Sequence, residues 1–111
     1  MGYDLHITRK SFWADPDGSA ITVEEWLAYV ATDSQLRLLP GRKDNMVILD
    51  VPSKHQHPWL AWSKGNVKTK NPDEPILAKM LQIASAFNAK VRGDDDEIYR
   101  SANLEDTYRD D

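Results

Sequence analysis

Two fully specified helix starts constrain this chain more than any other feature. At Thr22-Val23-Glu24-Glu25, the Thr and the second Glu stand at capping-box spacing, in which each side chain satisfies a free backbone N–H of the first turn. Ile21 and Trp26 flank that box at the two positions of a hydrophobic staple. At Asn71-Pro72-Asp73-Glu74-Pro75, Asp73 can cap and Glu74 suits the positive end of the helix dipole. Pro75 costs nothing there, because first-turn N–H groups have no intrahelical acceptor. Behind the first start, Val23, Trp26, Leu27 and Val30 recur at i, i+3, i+4, i+7, predicting one buried stripe and a helix ending near residues 31–34. Behind the second, Ile76, Leu77, Met80, Leu81, Ile83, Ala84 and Phe87 cover a broader face, so this helix is expected to be the more deeply buried.

Both stripes need a layer to pack on, and the remaining apolar segments read as strands. Tyr3-Asp4-Leu5-His6-Ile7-Thr8 alternates, with Tyr3, Leu5 and Ile7 on one face and Asp4, His6 and Thr8 on the other. Ala14-Asp15-Pro16-Asp17-Gly18-Ser19 is turn chemistry. Pro40-Gly41 marks a turn before the apolar run Met46 to Val51, which Pro52 stops, and a polar loop follows to Pro58. Residues 59–63 and 67–70 flank Lys64-Gly65-Asn66 as a hairpin, and residues 89–92 and 97–99 read as one or two short strands. The order β-α-β-β-β-α-β predicts an α+β fold: a mainly antiparallel sheet of about four to five strands with two helices on one face. At 111 residues the chain suits one core and not two. We expect one domain over residues 1–100 and an acidic tail over 101–111 that frays or orders on a partner.

Composition narrows the chemistry. Without cysteine there is no disulfide framework, thiolate catalysis or Cys-ligated metal. No leader pattern opens the chain and no apolar run approaches a membrane span, so a cytoplasmic location is expected. Charge is segregated. Residues 93–111 hold eight acids against Arg100 and Arg109, a net −6, whereas everything before them sums to +2. Arg37, Arg42, Lys43, Lys54, Lys64, Lys68 and Lys70 form a basic stretch against only Asp44 and Asp50. Such asymmetry bears on partners and association rates.

The segments Gly2 to Arg9, Thr22 to Val30 and Asn71 to Leu77 resemble a family of small, mostly uncharacterised bacterial proteins. Some of its members are immunity partners of polymorphic or contact-dependent growth-inhibition toxins. The similarity also takes in Gly93 to Tyr99 and leaves out Leu38 to Pro58. The resemblance implies a protein that binds and neutralises a cognate toxin domain, expected to be basic, by occluding it. It transfers no binding residue by motif.

Read residue by residue, the partner-binding candidates are the carboxylates Asp94, Asp95, Asp96 and Glu97, which would steer a basic partner, and Phe12, Trp13 and Trp59, which would anchor the contact. The same acidic run lacks the spacing of a calcium loop and otherwise reads as a solvated turn. His55-x-His57 with His6 offers imidazoles for zinc, but no carboxylate stands at ligand spacing, and two loop histidines are the plainer account. Asp4 and His6 share a strand face and would suit acid–base work, although a solvated face alternates in the same way. Trp59, Trp62, Lys64, Lys68 and Lys70 place aromatic and basic groups on the hairpin 59–70, an alternative single-stranded nucleic-acid surface opposed by the pI of 5.3. Nucleotide-binding and hydrolase motifs are absent. The sequence therefore points to a non-enzymatic protein-binding inhibitor without cofactor or metal.

Overall fold

The structure, a computed structural model, describes residues 3–10, 12–15, 18–41 and 45–109. Pro16 and Asp17 of the first turn, Arg42, Lys43 and Asp44 of the basic stretch, and Asp110 and Asp111 of the tail lie outside the described residues. The elements in chain order are β1 (Asp4–Thr8), α1 (Val23–Thr32), β2 (Leu36–Leu38), β3 (Val47–Leu49), β4 (Trp59–Ser63), β5 (Asn66–Lys70), α2 (Glu74–Ala86), β6 (Lys90–Gly93), β7 (Ile98–Tyr99) and β8 (Thr107–Tyr108). All eight strands join one antiparallel sheet in the order β2-β3-β4-β5-β1-β6-β7-β8.

The α+β class and the antiparallel sheet are as expected, but eight strands replace the four to five predicted. The additions are short. β2 is Leu36-Arg37-Leu38, directly after the α1 cap, and β8 is two residues inside the tail. Two or three residues carry no readable alternation, and each of these strands exists only because a neighbouring strand offers free backbone groups. Residues 89–99 supply two paired strands, β6 and β7.

Both helix starts form as their sequences dictate. Thr22 Oγ1 accepts from the Glu25 N–H, while the Glu25 carboxylate accepts from the Thr22 N–H. Asp73 caps α2 through the Ile76 N–H and also accepts from the Ser53 hydroxyl and the Lys54 N–H. The C-terminal end of α1 meets α2. Tyr29 of α1 packs on Phe87 at the end of α2, and Lys79 Nζ of α2 meets Asp33 Oδ2, the α1 C-cap, at 2.7 Å, with both side chains buried. Trp26, Ile76, Leu77, Met80 and Ile83 pack beneath them with Leu5, Ile7, Leu60, Val67 and Val91 of the sheet. Register assigns these strand residues to one face: Leu5 pairs with Thr69 and Gly93, and Ile7 with Val67 and Val91. No helix among the described residues is long and apolar enough to cross a membrane.

Candidate functional site

The other face of the sheet carries polar side chains into a half-open cleft. On it, His6 of β1 lies opposite Lys68 of β5 and Arg92 of β6, Asp4 lies opposite Lys70, and Ser63 opposite Asn66. The described residues of the β1–α1 connection fold over this face. They bring Trp13 flat against His6, with ring centroids 4.0 Å apart and planes 7° from parallel. Between connection and sheet is a cavity of ≈ 710 Å³, walled by Asp4, His6, Lys10, Trp13, Asn66 and Lys68 among others.

A tight hairpin makes this possible. Lys64 and Gly65 both have positive φ, 52° and 84°, the primed turn that matches the twist of β4 and β5. A Cβ on Gly65 would stand 2.7 Å from that of Ala20, so only glycine lets the connection pass the hairpin tip. There the Ile21 N–H donates to the Gly65 carbonyl, and the chain crosses to the helix face, where the Trp62 indole N–H donates to the Ile21 carbonyl.

At one end of the cavity stands a polar knot. His6 Nε2 lies 3.1 Å from Asp94 Oδ1, and Asp94 Oδ2 accepts from the Asp4 N–H at 2.9 Å. Burial holds the imidazole below its ordinary pKa, against the Asp94 carboxylate, which favours charge. His6 is therefore a neutral ring near pH 7, with Nε2–H donating to Asp94 and Nδ1 left as an acceptor. Ligand atoms of Asp4, His6 and Asp94 all lie within 4.8 Å of one another. Both oxygens of Asp94 already accept protein hydrogen bonds, so the knot is internally satisfied and reads as a clasp between β1 and the β6–β7 turn.

The partner-binding candidates separate into two places. Trp13 meets the start of the acidic run, its indole N–H reaching the Asp94 carbonyl at 3.4 Å. Phe12 is half exposed beside Trp13, while Trp13 is partly buried by its stack on His6. Trp59 is elsewhere, with His55 and His57 around a cavity of ≈ 60 Å³. His6 is grouped with Asp4 and Asp94, and His55 Nε2 meets the Asn71 carbonyl at 2.9 Å.

The four carboxylates also divide. Asp94 ties down β1, and Asp96 pairs with Arg92 at 3.3 Å. Glu97 accepts from both Tyr3 and Tyr99 hydroxyls, and a Cβ on Gly93 would collide with it. Burial and the Glu97 carboxylate push the Tyr3 hydroxyl up to about 12. Asp95 alone of the four is solvent-exposed. On the hairpin, Trp62 shares the helix face with Val67 while Lys68 faces the cavity, so its aromatic and basic groups do not present one surface.

Lys10 and Asn66 are the site residues that sequence reasoning missed. Both are polar and buried, and neither stands in a recognisable pattern. The one available signal was the Lys64-Gly65 turn, which places Asn66 at the first position of β5. No family model, curated protein or solved structure matches this chain.

Proposed function

We propose that this protein is a protein-binding inhibitor of the immunity type, occluding a bacterial toxin domain with the surface around Phe12 and the β6–β7 turn. One observation carries the reading. Trp13, with the half-exposed Phe12 tilted against it, reaches the Asp94 carbonyl, one residue from the exposed carboxylate Asp95. An aromatic anchor beside a steering charge is the composition of an interface hot spot. The resemblance of Gly2 to Arg9, Thr22 to Val30 and Asn71 to Leu77 to a family of small, mostly uncharacterised bacterial proteins, some of them immunity proteins, supplies the kind of partner.

The geometry also selects the probes. Asp94, Asp96 and Glu97 hold the fold together, so Asp95→Lys and Phe12→Ser are the substitutions that address the surface without breaking it. The test is to express the C-terminal region of the protein encoded immediately upstream, with and without this chain. The expected result is toxicity relieved by the wild-type protein, with association slowed and its salt dependence flattened in Asp95→Lys. A harmless upstream region, or rescue undiminished by the double variant, overturns the proposal.

A further inference from the structure

Three metal-ligating side chains meet at the end of the cleft. Asp4 and His6 come from β1 and Asp94 from the β6–β7 turn, and one ligand atom of each lies within 4.8 Å of the other two. Zinc holds imidazole and carboxylate ligands at about 2.0–2.2 Å, so neighbouring ligand atoms in its tetrahedron stand about 3.3–3.6 Å apart. His6 Nε2 and Asp94 Oδ1 are already close to that spacing, at 3.1 Å. One proton on Nε2 joins them, and a metal ion would take the place of that proton. Both ligands are fixed from behind. The Asp4 N–H holds Asp94 Oδ2 at 2.9 Å, while Trp13 lies flat on the His6 ring and its indole N–H reaches the Asp94 carbonyl. The third ligand is free to move. Among the described residues the Asp4 carboxylate accepts no hydrogen bond and forms no ion pair, so a side-chain rotation suffices to close it on an ion.

From this arrangement we infer that Asp4, His6 and Asp94 form a binding site for a divalent transition-metal ion of the zinc type. The imidazole decides the class, since calcium and magnesium take oxygen ligands, whereas zinc accepts imidazole nitrogen and carboxylate oxygen together. Two carboxylates match its charge. Asp4 and His6 also wall the cleft, so an ion held here borders space in which water or a donor atom of a guest supplies the fourth ligand, as in zinc sites with three protein ligands. Lys68, opposite His6 in the sheet, works against the ion, but it is partly exposed and a lysine stem can carry its charge outward. Arg92, the other cation opposite His6, pairs with Asp96. The inference is independent of the partner-binding reading, because Phe12 and Asp95 supply no ligand.

The test is a titration of the whole ¹⁵N-labelled chain with zinc chloride and with magnesium chloride, followed at the Trp13 indole N–H. Zinc is expected to give a saturable shift there, and magnesium at the same concentrations none. Asp4→Asn removes a ligand and keeps the backbone N–H that holds Asp94, so it is expected to weaken zinc at least about tenfold with the urea midpoint unchanged. Lys68→Ala removes a repulsion and is expected to tighten zinc about twofold. His57→Ala, at the separate small cavity, is expected to leave the Trp13 response as it was. No saturable shift with zinc overturns the inference. So does magnesium binding as tightly as zinc, weaker zinc binding in Lys68→Ala, or a loss in His57→Ala equal to that in Asp4→Asn.

Discussion

The two sides of β1 are buried to the same degree and built from opposite chemistry. Leu5 and Ile7 are 2% and 0% exposed, while His6 and Thr8, alternating with them, are 3% and 1% exposed. Helices cover the first pair and a connecting loop covers the second. The apolar side gains from area removed from water and needs only shape. The polar side must find hydrogen-bond partners, as His6 Nε2 does in Asp94 and Lys10 in the Lys64 carbonyl.

The largest effect should come from the charged pair between the two helices. Lys79 and Asp33 are buried between α1 and α2, with Tyr29 and Gln35 as further partners. Burial raises the Asp33 pKa, but the hydrogen bonds from Lys79 and Tyr29 outweigh it and hold the carboxyl below its ordinary value. Lys79→Ala should therefore cost about 4 kcal/mol, read as a shifted urea midpoint, because it strands a buried carboxylate. The double variant Lys79→Met, Asp33→Leu should recover most of that loss. Recovery would show that this face favours apolar contact throughout.

Next comes the direct comparison across the strand. Ile7→Ala should cost about 3 kcal/mol through lost burial and a cavity. His6→Ala should cost about 1–2 kcal/mol, the loss of one hydrogen bond to a partly solvated carboxylate. Equal costs would break the distinction between the two faces. The pH dependence sharpens it. His6 has a folded pKa below its unfolded value, so the unfolded chain takes the proton more readily. Stability should begin to fall as pH drops below about 6.5, where a free histidine titrates, and His6→Gln should remove that first loss. Glu25, held near 2 chiefly by Arg9, and Asp33 and Asp73, held low by their hydrogen bonds, contribute stability present above about pH 4 and lost below it, in wild type and variant alike.

How much of this was legible follows from the same contrast. The helix face announces itself by periodicity: Val23, Trp26 and Val30 repeat at the spacing of a one-sided helix, and Leu5 and Ile7 at that of a one-sided strand. The capping box and the Asp73 cap are local, and they form as read. β2 and β8 were not legible, since two or three residues pair only because a neighbour is already in place. The cavity was legible in half. Alternation put Asp4 and His6 on one face, but nothing local announces that Trp13 and Ala14 fold over them, because that depends on a contact between Ala20 and the Gly65 turn. Asp94 to Glu97 read as a free acidic surface because their partners, Tyr3, Asp4, His6 and Arg92, are mostly remote in sequence.

The smallest effect is the most discriminating. Phe12 is 50% exposed at the rim of the polar face, tilted against Trp13 at 6.0 Å, and it does not wall the cavity. A side chain so placed has little folded-state burial to lose, and Phe12→Ser should change stability by less than about 0.5 kcal/mol in the same urea titration. If Phe12→Ser instead costs as much as His6→Ala, then Phe12 is holding Trp13 on His6. The rim would then belong to the interior it covers, and the partner surface would reduce to Asp95 and its surroundings.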